Sequence, residues 1–179
     1  MKRVLITGGA GFLGSHLCDR FIAEGYHVIA MDNFITGVPE RLRRMGETAG
    51  FIVRQQDISV PFTVDGPVDY IVHAASIASP PVYRQYPLET IRVNVRGTEN
   101  LLELAREKSV RSMLYLSSSE IYGDPTPDAI PTPESYRGVV SCVGPRACYD
   151  ESKRLAETLC VTYFRQHHVP VKVVRPFNV

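Results

Sequence analysis

No stretch constrains this chain more than Gly8-Gly9-Ala10-Gly11-Phe12-Leu13-Gly14, which follows the apolar run Val4-Leu5-Ile6-Thr7 and precedes a segment of helical period. Leu13, Leu17 and Phe21, flanked by Cys18 and Ile22, recur at helical spacing, while Ser15, Asp19 and Glu24 face elsewhere and Gly25 offers a stop. Strand, glycine turn and helix start thus come in the order that a dinucleotide site requires. A tight turn needs backbone angles that other residues resist, and a pyrophosphate must approach bare backbone. The free amides and positive dipole end of the helix then attract the phosphates. Gly8, Gly11, Phe12, Leu13 and Gly14 are therefore candidate cofactor residues.

The next apolar run, His27-Val28-Ile29-Ala30-Met31, ends at Asp32, close to the ~20-residue separation at which an acid meets the adenosine ribose. A carboxylate there accepts from both ribose hydroxyls and repels a 2′-phosphate, which favours NAD over NADP. Asn33 stands beside it. With 179 residues, 44% of them hydrophobic, and a formal net charge of +1, the chain is long enough for one buried core. Its charge balance advertises neither nucleic acid nor lipid as partner. Cys18, Cys142, Cys148 and Cys160 form no C-x-x-C pair and have no histidines at metal spacing. The expectation is buried or inert thiols, no metal and a cytoplasmic location. No run reaches membrane-spanning length.

Residues Asn33 to Gly50 read as a solvated basic face carrying Arg41, Arg43 and Arg44. A third strand, Phe51 to Gln56, delivers Asp57 and Ile58, a carboxylate and an apolar side chain suited to flank an adenine. A fourth, Tyr70 to Ala75, ends in the small residues Ala74 and Ala75, against which a flat cofactor can lie. Pro87 to Lys108 shows one long helical pattern, and Ser112 to Leu116 a fifth strand that leads into Ser117-Ser118-Ser119-Glu120. Prolines 125, 127, 131 and 133 make Asp124 to Pro145 a loop; a helix over Ala147–His167 and a strand over Val169–Val174 follow. Strands alternating with helices predict an α/β fold, a Rossmann-like doubly wound parallel sheet with helices on both faces.

Tyr149 and Lys153 lie four apart on the last predicted helix and so share a face. A phenol with its ordinary pKa near ~10 is a poor base at neutral pH. Lys153 and the positive nicotinamide of NAD are expected to lower it, so that Tyr149 can take the proton of a substrate hydroxyl held by Ser118.

These residues resemble the extended short-chain dehydrogenase/reductase family, whose glycine signature is similar to Thr7 through Gly14 and whose catalytic set is similar to Ser118, Tyr149 and Lys153. Ala78-Ser79-Pro80-Pro81, Ser118 through Pro125 and Gly144 through Glu151 resemble its members that act on nucleotide sugars. The resemblance implies NAD-dependent decarboxylation of UDP-glucuronate to UDP-xylose through a 4-keto acid. In that scheme Glu120 handles a proton at C5, Asn94 orders the site, and Ser79 and Tyr83 contact the carboxylate. Asp57, Ile58, Ala74 and Ala75 touch the cofactor and Asn178 meets the diphosphate. Dehydratase relatives carry an acid where this chain has Ser119, which argues against dehydration. A nucleotide-sugar epimerase and a non-catalytic NAD-binding module remain as alternatives. The resemblance also implies a homodimer built on the two long helices, and a smaller nucleotide-sugar-binding part expected to be absent from this chain, leaving NAD binding without useful turnover.

Overall fold

A computed structural model describes residues 1–177, so that Asn178 lies outside the described residues. Its six strands are β1 (Arg3–Thr7), β2 (His27–Asp32), β3 (Phe51–Gln55), β4 (Tyr70–His73), β5 (Ser112–Leu116) and β6 (Val171–Val174). They form one parallel sheet in the order β3-β2-β1-β4-β5-β6. The strand order reverses on either side of β1, and in open parallel sheets a crevice forms outside the carboxyl ends at such a point.

The apolar run Val4-Leu5-Ile6 within β1 follows from coverage of both faces of the sheet. Leu5 joins a core with Ile29, Ile71 and Met113 under Leu101 and Leu102, whereas Val4 and Ile6 join a second core with Val28, Ala30 and Cys18. Successive β1 side chains thus feed opposite layers, as the two-residue period of a strand dictates. The helices supplying those layers are α1 (Phe12–Ala23), α2 (Glu40–Arg43), α3 (Pro80–Gln85), α4 (Pro87–Arg92), α5 (Thr98–Glu107) and α6 (Ala147–His167).

Several local expectations are corrected. The single helix expected from Pro87 to Lys108 is interrupted by a π-helical turn over Val93–Gly97, joining α4 to α5. Within it the carbonyl of Asn94 accepts from the hydroxyl of Thr98 at 2.6 Å, and the Asn94 side chain is fully buried among polar partners. Helix α3, which begins on Pro80-Pro81, was not anticipated; prolines are tolerated in a first turn because its amides lack intrahelical acceptors. β6 starts at Val171, Val169 being spent in the core. The basic face is not wholly solvated, since α2 buries Leu42 and Arg41 donates to the carbonyl of Ala10 at 3.2 Å. Of the thiols, Cys18 and Cys160 are buried and Cys142 is exposed.

Candidate active site

The glycine turn sits at the switch point because it connects β1 to α1. Gly8 has a φ of +71°, and a Cβ there would lie 2.7 Å from the backbone of Ala74 and Ala75 at the end of β4. A Cβ on Gly14 would strike the carbonyl of Gly8, so that α1 can dock on the turn only without a side chain at that position. The amides of the first turn of α1 have no intrahelical acceptors, and Gly11 and Leu13 at that end of the helix line the crevice. Asp32 is fixed by two backbone donors: the amide of Ala10 gives to one carboxylate oxygen and that of Phe34 to the other, both at 2.9 Å. Each oxygen keeps a further lone pair for a ligand hydroxyl.

A cleft of about 430 Å³ runs past Gly8, Gly11, Asp32, Asn33, Asp57, Ala74 and Ala75. Bare backbone, helix amides and an oriented carboxylate around one cleft fit a dinucleotide. Other expected cofactor contacts fall differently. Phe12 is exposed, its ring edge-on to His16 at 5.1 Å, and Leu13 lines the adjoining cleft instead. Gly14 acts through packing. Ile58 is buried in the core against Gly97, and reaches only a small recess behind the carboxylates.

The adjoining cleft, about 350 Å³ in volume, shares Ala74 with the first and is lined by Leu13, Tyr83, Ser118, Glu120, Tyr149 and Lys153, among others. Residues as far apart in sequence as Leu13 and Lys153 are brought together by the parallel register, which aligns the carboxyl ends of β1, β4 and β5. Ser118 caps a short 3₁₀ turn, its hydroxyl accepting from the Glu120 amide at 3.2 Å. Burial raises the pKa of Tyr149, while hydrogen bonds with Ser118 and Ser76 pull it down. Lys153 is buried; its ammonium donates to the Leu116 carbonyl at 2.8 Å and stands 5.8 Å from the centre of the Tyr149 ring.

This corrects the expected electrostatics. Burial pushes the Lys153 ammonium down to about 7, so near neutral pH it is a partial charge and not a fixed one. The chain alone holds Tyr149 as a phenol. Because the folded pKa of Lys153 lies below its unfolded value, the unfolded chain binds the extra proton between about pH 7 and 10.5. Its burial therefore costs most below pH 7, and the cost fades as pH rises through that window. Lys153→Met is expected to raise the melting temperature at pH 6, with the gain shrinking towards pH 10, as scanning calorimetry across that range would register. An equal gain at every pH would contradict the assignment.

Glu120 forms an ion pair with Arg146, which also approaches Asp150 at 3.6 Å. Tyr83 stacks on Tyr149 with ring centres 5.2 Å apart and planes 13° from parallel, which fixes the phenol's orientation. Ser79, exposed at the start of α3, leaves the wall to Ala78, Pro80 and Tyr83. Asn94 is an ordering group and not a wall residue: it donates to Ser152 at 2.9 Å and accepts from Ser76 at 2.8 Å. Sequence reading missed Ser76 and Arg146. Ser76 closes the Ala74-Ala75 run at the end of β4 and Arg146 precedes α6, but their partners lie far away in sequence, so no local signal marks them.

The sequence pattern of the NAD dependent epimerase/dehydratase family matches residues 4–179. UDP-glucuronic acid decarboxylase 1 of Xenopus tropicalis is 46% identical over 177 residues, covering 99% of this chain and 41% of the relative. UDP-glucuronic acid decarboxylase 3 of Arabidopsis thaliana is 45% identical over 177 residues, covering 98% and 50%. The chain thus spans half or less of the length of these relatives. Among solved structures, a UDP-galactose 4-epimerase superposes with a TM-score of 0.79 at 34% identity, covering 97% of this chain and 55% of the other. A UDP-glucuronic acid 4-epimerase from Bacillus cereus in complex with NAD gives 0.78 at 25%, covering 98% and 56%.

Proposed function

The chain belongs to the NAD dependent epimerase/dehydratase family, and from that premise we propose that residues 1–179 are the NAD-binding domain of an enzyme that decarboxylates UDP-glucuronate to UDP-xylose. The observation that carries this reading is a buried donor without a partner on a residue lining the Tyr149 cleft, the hydroxyl of Tyr83, which stacks on Tyr149. Buried donors are almost always satisfied. An acidic sugar carries an acceptor for it, and the decarboxylases that resemble this chain act on one by name.

In the proposed sequence, bound NAD supplies the hydride acceptor at the sugar C4 and later returns the hydride. Ser118 positions the C4 hydroxyl, and Tyr149 takes its proton. Lys153, at about 7, passes readily between charged and neutral forms and restores the tyrosine. The product is a 4-keto acid, whose carboxylate, beta to the ketone, leaves as carbon dioxide with its bonding electrons held as an enolate. Glu120, on the same wall, is placed to handle the proton that C5 must gain. Ala74, which lines both clefts, would hold the cofactor beside the sugar. The Asp32 carboxylate favours NAD over its phosphorylated form.

Assembly as a homodimer through α4, α5 and α6 is part of the same proposal. Leu88 and Ile91 on α4 and Leu155, Val161 and Phe164 on α6 are exposed apolar side chains that a helix pairing would cover. No helix among the described residues is long and apolar enough to cross a membrane, which is compatible with a cytoplasmic site of action. The deciding experiment incubates the natural-length protein with NAD and UDP-glucuronate and follows carbon dioxide and nucleotide products. Release of carbon dioxide with UDP-xylose is the expected result; UDP-galacturonate without carbon dioxide would move the assignment to the epimerase reading, which the structural neighbours favour.

A further inference from the structure

Between the glycine turn and the catalytic helix lies a buried polar chain that the mechanism does not use. Thr7, His73 and Thr98 are among the most deeply enclosed polar residues of the fold. Thr7 Oγ1 stands 2.9 Å from His73 Nδ1, and His73 Nε2 stands 3.0 Å from Thr98 Oγ1. The Thr98 proton is committed to the Asn94 carbonyl at 2.6 Å, so Thr98 can only accept from the imidazole. That assigns the ring proton to Nε2 and leaves Nδ1 to accept from Thr7. Burial depresses the imidazole pKa to about 3, which keeps the ring neutral and able to donate and accept at once.

The chain continues to the base. The Asn94 amide donates to Ser152, which donates to the Tyr149 carbonyl at 2.9 Å, and the Asn94 oxygen accepts from Ser76, whose hydroxyl pulls the pKa of the Tyr149 phenol down. Asn94 lies in the π-turn and Thr98 follows it as the first residue of α5. Such turns release a carbonyl from the regular ladder, and they recur where a side chain must be turned to a particular task.

We propose that His73 and Thr98 are positioning residues for the reaction of the Tyr149 site, a neutral bridge that pins the π-turn so that Asn94 holds Ser76 and Ser152 against the catalytic tyrosine. The inference rests on the proposed NAD-dependent oxidation at that site, though not on which nucleotide sugar is used. Loss of the bridge frees the Asn94 carbonyl, the π-turn relaxes towards an ordinary helix, and the carboxamide leaves its two serines. Neither His73 nor Thr98 lines either cleft, so ligand binding itself is not engaged.

The test uses Thr98→Val, which keeps shape and removes the hydroxyl, beside Thr98→Ser, which restores it, in the natural-length protein. Single-turnover formation of NADH from NAD and UDP-glucuronate is followed at 340 nm, with NAD affinity measured by calorimetry. The expected result is at least tenfold slower hydride transfer in Thr98→Val, unchanged affinity for NAD, and recovery to within about threefold in Thr98→Ser, in line with the cost of misplacing a catalytic group by a fraction of an ångström. A variant that loses melting temperature alone and transfers hydride at the native rate overturns the proposal, as does Thr98→Ser behaving like Thr98→Val. Absence of both a transient NADH signal and any consumption of UDP-glucuronate in the unaltered protein would instead overturn the functional reading.

Discussion

Tyr149→Phe is expected to lower kcat by ~10² to ~10⁴-fold while leaving NAD affinity unchanged, the range for loss of a positioned acid–base group. The substitution removes one oxygen and keeps the ring stacked on Tyr83 at 5.2 Å, so that the wall of the cleft survives. Only the proton path from the substrate hydroxyl is cut. Stability should fall slightly or stay level, because the phenol is already neutral and its hydroxyl leaves with the hydrogen bonds to Ser118 and Ser76. Rapid-quench turnover and calorimetric titration of NAD on the same preparation check both halves. Retention of more than a tenth of native turnover would remove Tyr149 from the mechanism. A parallel shift in NAD affinity would make the tyrosine a cofactor ligand first and a base second.

Gly8→Ala is expected to reduce NAD affinity by at least ~10²-fold and to cost about 2–4 kcal/mol of stability. Two effects add at this position. A Cβ at φ +71° sits in a backbone region that L residues occupy only under strain, and the same atom would lie 2.7 Å from the Ala74 and Ala75 backbone, which has no side chain to move aside. Gly25→Ala is the control: its φ is +78°, but a Cβ there meets nothing within 4 Å, so it should carry the strain alone and bind NAD normally. Thermal unfolding and calorimetric titration of the three proteins separate strain from lost approach. Equal NAD affinity in Gly8→Ala and the native chain would show that no pyrophosphate lies over this turn.

Much of the fold is legible along the chain because its signals are local. The run Val4 to Ile6 is apolar at every position since both faces of β1 are covered, and the glycine spacing after Thr7 leaves few alternatives to a strand-turn-helix unit. The Ala147–His167 helix keeps its predicted bounds, with Tyr149 and Lys153 on one face. Helical period does not reveal the π-turn, however, since apolar residues recur on more than one face from Leu88 to Ala105 and mask the shift of phase that one extra residue brings. Asn94 therefore reads as a helix residue, and its burial and partners stay hidden. Helix α3 is hidden for the opposite reason, as Pro80 and Pro81 read as breakers while the structure uses them to begin a helix.

By itself the sequence determined the parallel α/β architecture, the strand–glycine-turn–helix unit, the place of the Asp32 carboxylate at the end of the next strand and the chemical identity of Ser118, Tyr149 and Lys153. Each is a matter of residue type at short spacing, which the covalent chain enforces. Only the tertiary structure decided the ionisation of that set and the company it keeps: Lys153 brought to about 7 by burial, Glu120 drawn to Arg146, and Asn94 held by groups 18 and 58 residues away. Desolvation and long-range hydrogen bonds arise when the sheet brings distant strand ends together, and no local pattern encodes the distance between them.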